Sequence, residues 1–393
     1  MSNYLYEVLD RLIAFDTVSS HSDIPAMEYL ADHLDRHGLK TALHKSEIAR
    51  VSQANLIAWA GPPEEDGLII SGHLDTVPFQ GQPGWNRDPL KLETSDDQVF
   101  GRGTSDMKGF LAQCVEAART LDQARLRRPV VFIFTASEEI GGLGAKRVTP
   151  ELPDLLGDVP CPILAWIGEP TSYAIHAAHK SAVLLEVTIR GRGGHSGAPH
   201  NGVNAIAVAG KVIEAIGRLQ EECRTRIDAQ YASMFPDTPF DVLNFGTISG
   251  GIADNVIAER CSLRISYRTL PGKDPLALRD EIERRCAAID TYDYASHNHR
   301  ATIEVGQALV MPAMGSPRGT ALEVALLETT RTSTVLGAPF CTDGGWFADA
   351  GIHSLICGPG AYEQAHQPNE SIPRAALDSG PAMILKVIER LCS

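Results

Sequence analysis

The chain has 393 residues, of which 44% are hydrophobic and 21% charged, a makeup that allows a large core and two domains. Its formal net charge of −14 and pI near 5.4 argue against a nucleic-acid partner, which would want a basic face. The start, Met1-Ser2-Asn3-Tyr4-Leu5-Tyr6-Glu7, has no basic run ahead of an apolar stretch, and no window approaches the roughly 18 apolar residues of a membrane span. A cytoplasmic protein is expected. Cys114, Cys161, Cys223, Cys261, Cys286, Cys341, Cys357 and Cys392 are scattered with no Cys-x-x-Cys pair, so most read as buried thiols. Cys341 lies in a Gly-rich segment, but no His or Asn pattern around it supports a nucleophile.

Residues 3–38 carry apolar positions at helical spacing and read as two helices around Asp16-Thr17-Val18-Ser19-Ser20. Strand-like runs follow at 55–59 and 67–71, then a helix over 107–121, and strands at 130–134 and 162–167. The short apolar runs with β-branched residues suit strands buried on both faces. This alternation predicts a doubly wound, mostly parallel α/β sheet. From about Lys180 the texture changes to a strand (182–189), a helix (203–220), two strands (241–248 and 258–267), a helix (274–288) and a strand (301–305). The order β-α-β-β-α-β is that of a ferredoxin-like split unit, so an inserted α+β domain is expected over 180–306. The catalytic domain would then comprise 1–179 and 307–393. Near the end of the insert, Thr291-Tyr-Asp-Tyr-Ala-Ser-His-Asn-His299 has two histidines but reads as a solvated loop. The α/β texture returns with a helix at 319–330, Cys341-Thr342-Asp343-Gly344-Gly345, a strand at 354–357 and a last helix at 374–391.

Four of the expected strands release a His or Glu at or beyond their C-terminal ends: His73, the pair Glu138-Glu139, Glu169, and His366 nine residues on. That edge is where open α/β sheets bind ligands. With Asp106, just before a helix, they make two imidazoles and several carboxylates, a set suited to two Zn²⁺ ions with Asp106 as bridge. Asp75, two residues after His73, could accept the other ring N–H and fix the tautomer. Adjacent carboxylates repel unless a cation or a proton holds them, so one of Glu138-Glu139 could bind metal while its neighbour acts as a general base. Taken singly, His73 also reads as a satisfied loop histidine, Asp106 as a helix N-cap and Glu138-Glu139 as a solvated turn.

Together, Gly72-His-Leu-Asp75, Gly103-Thr-Ser-Asp-Met-Lys-Gly109, Glu138-Glu139, Gly168-Glu-Pro-Thr171, Gly194-His-Ser196 and His366 resemble the M20 metallopeptidase/deacylase family over essentially the whole chain. Within that family, Ala178-His-Lys180, Gly202-Val-Asn-Ala-Ile206, Arg268-Thr-Leu-Pro-Gly272 and Gln364-Ala-His-Gln-Pro368 look most like the acetylornithine deacetylases. The resemblance implies a hydrolase of N-acyl amino acids such as N2-acetylornithine, holding two divalent metals, Zn²⁺ or in its place Co²⁺. His73 and Glu169 would serve one metal, Glu139 and His366 the other, and Asp106 both. Glu138 would be the general base and Asp75 would orient His73. The resemblance further implies a homodimer formed through the insert, with His195 reaching the active site from the partner subunit to stabilise the oxyanion. Asn255 and Arg268 would bind the substrate α-carboxylate. On the residues alone these three also read as a turn histidine, a strand-edge asparagine and a surface arginine. One segment departs from the deacetylase pattern: Thr342-Asp343-Gly344 stands where a Thr-Glu pair is expected. It is similar to the Asp-Gly of the family's succinyl-diaminopimelate desuccinylases and carboxypeptidases, and leaves Asp343 as the carboxylate for a substrate amine.

Overall fold

The computed structural model describes residues 3–292 and 299–393, which fold as two compact units, 1–179 with 314–393 and 180–313. The first is built on a nine-stranded sheet. Its strands are β1 (Lys40–Ile48), β2 (Val51–Ala60), β3 (Leu68–His73), β4 (Val130–Thr135), β5 (Leu164–Ile167), β6 (Ile175–His179), β7 (Met314–Gly315), β8 (Val335–Ala338) and β9 (His353–Ile356). In space they run β1-β2-β4-β3-β5-β9-β6-β7, with β8 also paired to β6.

The sheet is mixed, where the sequence suggests a mostly parallel one. Its centre, β4-β3-β5-β9, is parallel throughout, whereas β1–β2, β2–β4, β9–β6 and β6–β7 are antiparallel. The reason at one edge is local. Ala49 and Arg50, with φ of 50° and 68°, form a two-residue turn between β1 and β2, and so tight a link can join only antiparallel neighbours. Strand β1 escapes a sequence reading because its residues are polar and half exposed.

Every residue of β3 and β4 is buried. Ile69, Val131, Ile133, Ala165 and Ile167 pack on one face with Val148, Leu152 and Phe347. On the other face a Cβ at Gly72 would meet Met107 and Leu111, which places helix Lys108–Thr120 directly under β3. That helix is buried from Lys108 to Ala118 and packs against helices Asn3–Ala14 and Arg374–Cys392. Each large apolar side chain so covered contributes roughly 1.5–3 kcal/mol. Because β4, β3, β5 and β9 are parallel and paired Gly72 to Phe134, Ser71 to Ile167 and Ile167 to Ile356, their C-terminal ends share one edge.

In the second unit, Val242–Gly250, Arg260–Arg268, Ala182–Arg190 and Thr302–Val305 form an antiparallel sheet in that order. Helices Ala205–Thr225 and Pro275–Ala287 bury Val208, Val212, Ile216, Leu278 and Ile282 in the same core as the strands' alternate residues. The unit ends later than the expected 306. Leu309–Met311 still pair with Ala182–Leu184, and the chain rejoins the first unit at Met314. Of the polar tract 291–299, residues 293–298 lie outside the described residues; His299 accepts a hydrogen bond from Arg192.

Candidate metal centre

The shared strand edge gathers the acids and imidazoles. His73 is the last residue of β3 and is 1% exposed. Its Nδ1 lies 2.9 Å from the Asp75 carbonyl oxygen. A carbonyl can only accept, so Nδ1 carries the proton and Nε2 is the ring nitrogen turned toward the acids. Nε2 lies 2.9 Å from Asp106 Oδ1 and 3.8 Å from Glu169 Oε1. The other oxygen of Asp106 is 3.2 Å from His366 Nε2, which is 3.0 Å from Glu139 Oε2. Asp106 thus stands between two imidazoles, with Glu169 on the His73 side and Glu139 on the His366 side.

Backbone shape places each group. Beyond β4, Ser137 takes a positive φ of 54°, and the amides of Gly141 and Gly142 return to the Glu138 carbonyl, so that Glu138 and Glu139 sit at the head of a tight turn. Beyond β5, Gly168 and Gly358 cross at close range: a Cβ on Gly358 would lie 2.0 Å from the Gly168 carbonyl oxygen. The crossing fixes where Glu169 leaves the sheet. His366 has a φ of 63° and is half exposed, so the site opens on its side.

The role expected of the Asp75 side chain is corrected. His73 Nδ1 is served by the Asp75 backbone, and the nearer carboxylate oxygen is 3.6 Å away. That carboxylate is already taken by the amides of Glu138 and Glu139 and by the Ser19 hydroxyl. Asp343 differs from expectation as well. It is 2% exposed, its Oδ2 accepts the Thr135 hydroxyl, and its Oδ1 is buried without a hydrogen-bond partner. In this structure the Asp343 carboxylate is enclosed at the foot of the Glu138 turn.

Charge is concentrated here. Burial, reinforced by Glu169, pushes the Glu138 carboxyl well above the usual carboxylate range, and burial does the same for Glu169. Glu139 is pushed up to about 7 by burial and by Asp106. Burial would lower the His73 imidazole, but its bond to Asp106 and the charges of Glu169 and Asp106 raise it instead. Bonds to Asp106 and Glu139 lift His366 to about 10. Four carboxylates crowded beside two imidazoles are a cluster short of positive charge.

Metal ions fit these residues. His73 Nε2, Asp106 and Glu139 offer ligand atoms within 4.8 Å of one another, and so do His73, Glu138 and Glu169. Glu139 Oε1 is buried with no hydrogen-bond partner, an acceptor that lacks a cation or donor. Imidazole nitrogen and carboxylate oxygen are the donors zinc takes in open, catalytic sites.

A model of peptidase family M20/M25/M40 matches residues 69–390. The chain belongs to the M20 peptidase family. It is a metal-dependent amide hydrolase. The acetylornithine deacetylase of Pasteurella multocida is 33% identical to this M20 chain over 397 residues, covering 98% of each. That of Proteus mirabilis is 32% identical over 383 residues, covering 96% of this chain and 93% of its own. Two solved structures share the fold. An M20 family metallo-carboxypeptidase from Sulfolobus solfataricus matches with TM-score 0.74 at 17% identity, covering 100% and 99% of the two chains. The Bacillus subtilis YXEP protein, a dinuclear metal-binding peptidase of the family, matches with TM-score 0.67 at 16% identity, covering 98% and 96%.

Other expected site residues lie in the second unit. His195 pairs with Val256 in a short ladder, and the Ser196 amide bonds to the Asn255 carbonyl, so His195 and Asn255 are neighbours and both are exposed. Arg268 ends its strand opposite Val242, at the other end of the unit's central strands. No described helix is long and apolar enough to cross a membrane. The eight cysteines form no disulfide among the described residues; six are buried, and Cys161 and Cys341 are half buried. Glu370, which the sequence reading passed over, is fully buried and accepts the Asp106 backbone amide. Its signal in the sequence is a charged residue four places after His366 and two before Ile372.

Proposed function

We propose that this M20 hydrolase removes the acetyl group from N2-acetyl-L-ornithine, a step of arginine synthesis, in the cytoplasm, with zinc as the native metal. The observation that carries the reading is Asp106 placed between His73 and His366, with Glu138 beside them, in a chain aligned end to end with relatives named acetylornithine deacetylase. His73 and Glu169 would hold one ion, His366 and Glu139 the second, and Asp106 both. Divalent ions held by these residues would supply an acidified water and a Lewis acid for the amide carbonyl; cobalt has the same ligand preferences and would substitute.

Glu138 does the proton work. Its carboxylate takes a proton from the attacking water as the C–O bond forms, and returns it to the nitrogen as the C–N bond breaks, giving acetic acid and the amine, which leave at neutral pH as acetate and ammonium. Asp75 holds the Glu138 amide and so aims that carboxylate. His195 would steady the oxyanion; Asn255, the neighbour of His195, and Arg268, at the other end of the same strands, would reach the α-carboxylate of one substrate from different subunits of the dimer. In this reading the insert also forms a homodimer that supplies His195 from the partner subunit; sedimentation of an active preparation as monomer alone would remove that part.

The burial of Asp343 supports a second reading of the substrate. With that carboxylate tied to Thr135, nothing at this position selects a cationic side chain, and a desuccinylase, another N-acyl-amino-acid deacylase or a dipeptidase would use the same centre. The mechanism is tested by Glu138→Gln. Turnover is expected to fall by roughly 10²–10⁴-fold with two metals still bound. Unchanged turnover contradicts the assignment of the base, and loss of one metal makes Glu138 a ligand instead.

A further inference from the structure

The Glu370 carboxylate accepts four hydrogen bonds, two at each oxygen. Oε2 accepts from Arg102 Nη1 at 2.9 Å and the Gly103 amide at 3.0 Å; Oε1 accepts from the Ser105 amide at 2.9 Å and the Asp106 amide at 3.0 Å. The turn 103–106 points three amides into one hollow, the kind of backbone concavity that binds an anion, and Glu370 is the anion. It reaches this turn from the far end of the sequence, four residues after His366.

A second path runs from the same carboxylate to His366. Arg102 Nη2 donates to Gln82 Oε1 at 2.8 Å, and Gln82 Nε2 donates to the His366 carbonyl at 2.7 Å. Asn369 ties in from both sides: its Oδ1 accepts the Asn86 amide, and its Nδ2 donates to the Gly84 carbonyl. These bonds hold a strained stretch, since His366 and Asn369 have φ of 63° and 56°, where residues other than glycine rarely sit. Released from Gln82 and Asn369, His366 would relax from the conformation that brings Nε2 to Asp106 and Glu139.

We propose that Glu370 is a positioning residue for the metal centre: it fixes the backbone of Asp106 directly, and that of His366 through Arg102 and Gln82. One buried carboxylate thus sets the spacing of the central carboxylate and the most exposed ligand. The assignment rests on the dinuclear reading above. A charge is needed because a glutamine there would turn an NH₂ group toward two of the four donors, at a fully buried position.

The test uses the full chain and two variants, Glu370→Gln and Gln82→Ala. Zinc affinity is measured by competition with a chromophoric chelator, and the visible bands of the cobalt-loaded protein report ligand geometry. Glu370→Gln is expected to weaken zinc binding by roughly 10–100-fold, the loss typical of partners that orient metal ligands, and to shift the cobalt bands. Gln82→Ala, in a half-buried loop position, is expected to keep the fold and to weaken one of the two ions several-fold. Lower melting temperatures with wild-type zinc affinity and cobalt bands in both variants would overturn the proposal, leaving Glu370 a structural ion pair. A wild-type chain that takes up no zinc overturns the metal reading itself and this assignment with it.

Discussion

Asp75 Oδ1 accepts the backbone amide of Glu138 at 3.0 Å. The bond links the end of β3 to the turn after β4, so the residue next to one imidazole sets the direction of the neighbouring acid. Since His73 is oriented by the Asp75 carbonyl, the Asp75 side chain can be changed without touching that contact. Asp75→Asn would put an NH₂ group near the amides of Glu138 and Glu139. The expected result is a fall in kcat on the order of 10²-fold, as for a misplaced reacting group, with zinc affinity within a few-fold of wild type. A matching loss of zinc would mean that the carboxylate orients His73 after all.

Gly358→Ala tests the crossing of the two loops beyond β5 and β9. The added Cβ would lie 2.0 Å from the Gly168 carbonyl oxygen, a backbone atom with no freedom to yield. Overpacking of this kind costs about 1–3 kcal/mol, and here it also moves Glu169. Urea unfolding should show the loss of stability, with zinc binding weakened in the same variant. Full stability would show that the two loops part more easily than their packing suggests.

Asp23 gives a pH dependence away from the centre. Its Oδ1 accepts the Ala54 amide, its Oδ2 is buried without a partner, and burial raises the carboxyl to about 7 from an ordinary 3.8. Between these values the folded chain keeps a proton that the unfolded chain has released. This contribution is complete below about pH 4 and is lost as the pH rises through 7. Wild type should therefore lose more stability than Asp23→Asn between pH 5 and pH 8, as read by denaturant midpoints. Parallel curves for the two proteins would refute the assignment.

The metal-free centre makes a related prediction. Glu139 lies near 7, and burial raises Glu138 and Glu169 as well, so in the absence of ions the cluster holds protons that metal binding must displace. Zinc affinity, and the rise in melting temperature on adding zinc, should be greater at pH 7.5 than at pH 5.5. A rise independent of pH would place the bound zinc elsewhere.

Much of the centre was legible because its residues are tied to strand ends. His73, Glu138, Glu139 and Glu169 follow apolar runs that could only be buried strands, and parallel pairing brings those ends to one edge. What the sequence hides is contact between distant backbones. Glu370 acts by receiving amides from residues 103, 105 and 106, and no local pattern marks it as their acceptor. The backbone and hydroxyl partners of Asp75 and Asp343 were hidden as well, because the sequence does not say that an amide or a threonine hydroxyl reaches those carboxylates. Strand β6 was missed for a related reason: Ile175-His-Ala-Ala-His179 carries little apolar bulk, although all of it is buried.

The most direct measurement is release of free amine from N2-acetyl-L-ornithine, N-succinyl-diaminopimelate and N-acetylmethionine, with metal-stripped and zinc-reloaded protein side by side. The account predicts activity that appears only with zinc and is greatest on N2-acetylornithine. Greater turnover of another acyl amino acid would keep the centre and contradict the substrate. Equal turnover with and without metal would contradict the reading of His73, Asp106, Glu139, Glu169 and His366 as a metal site.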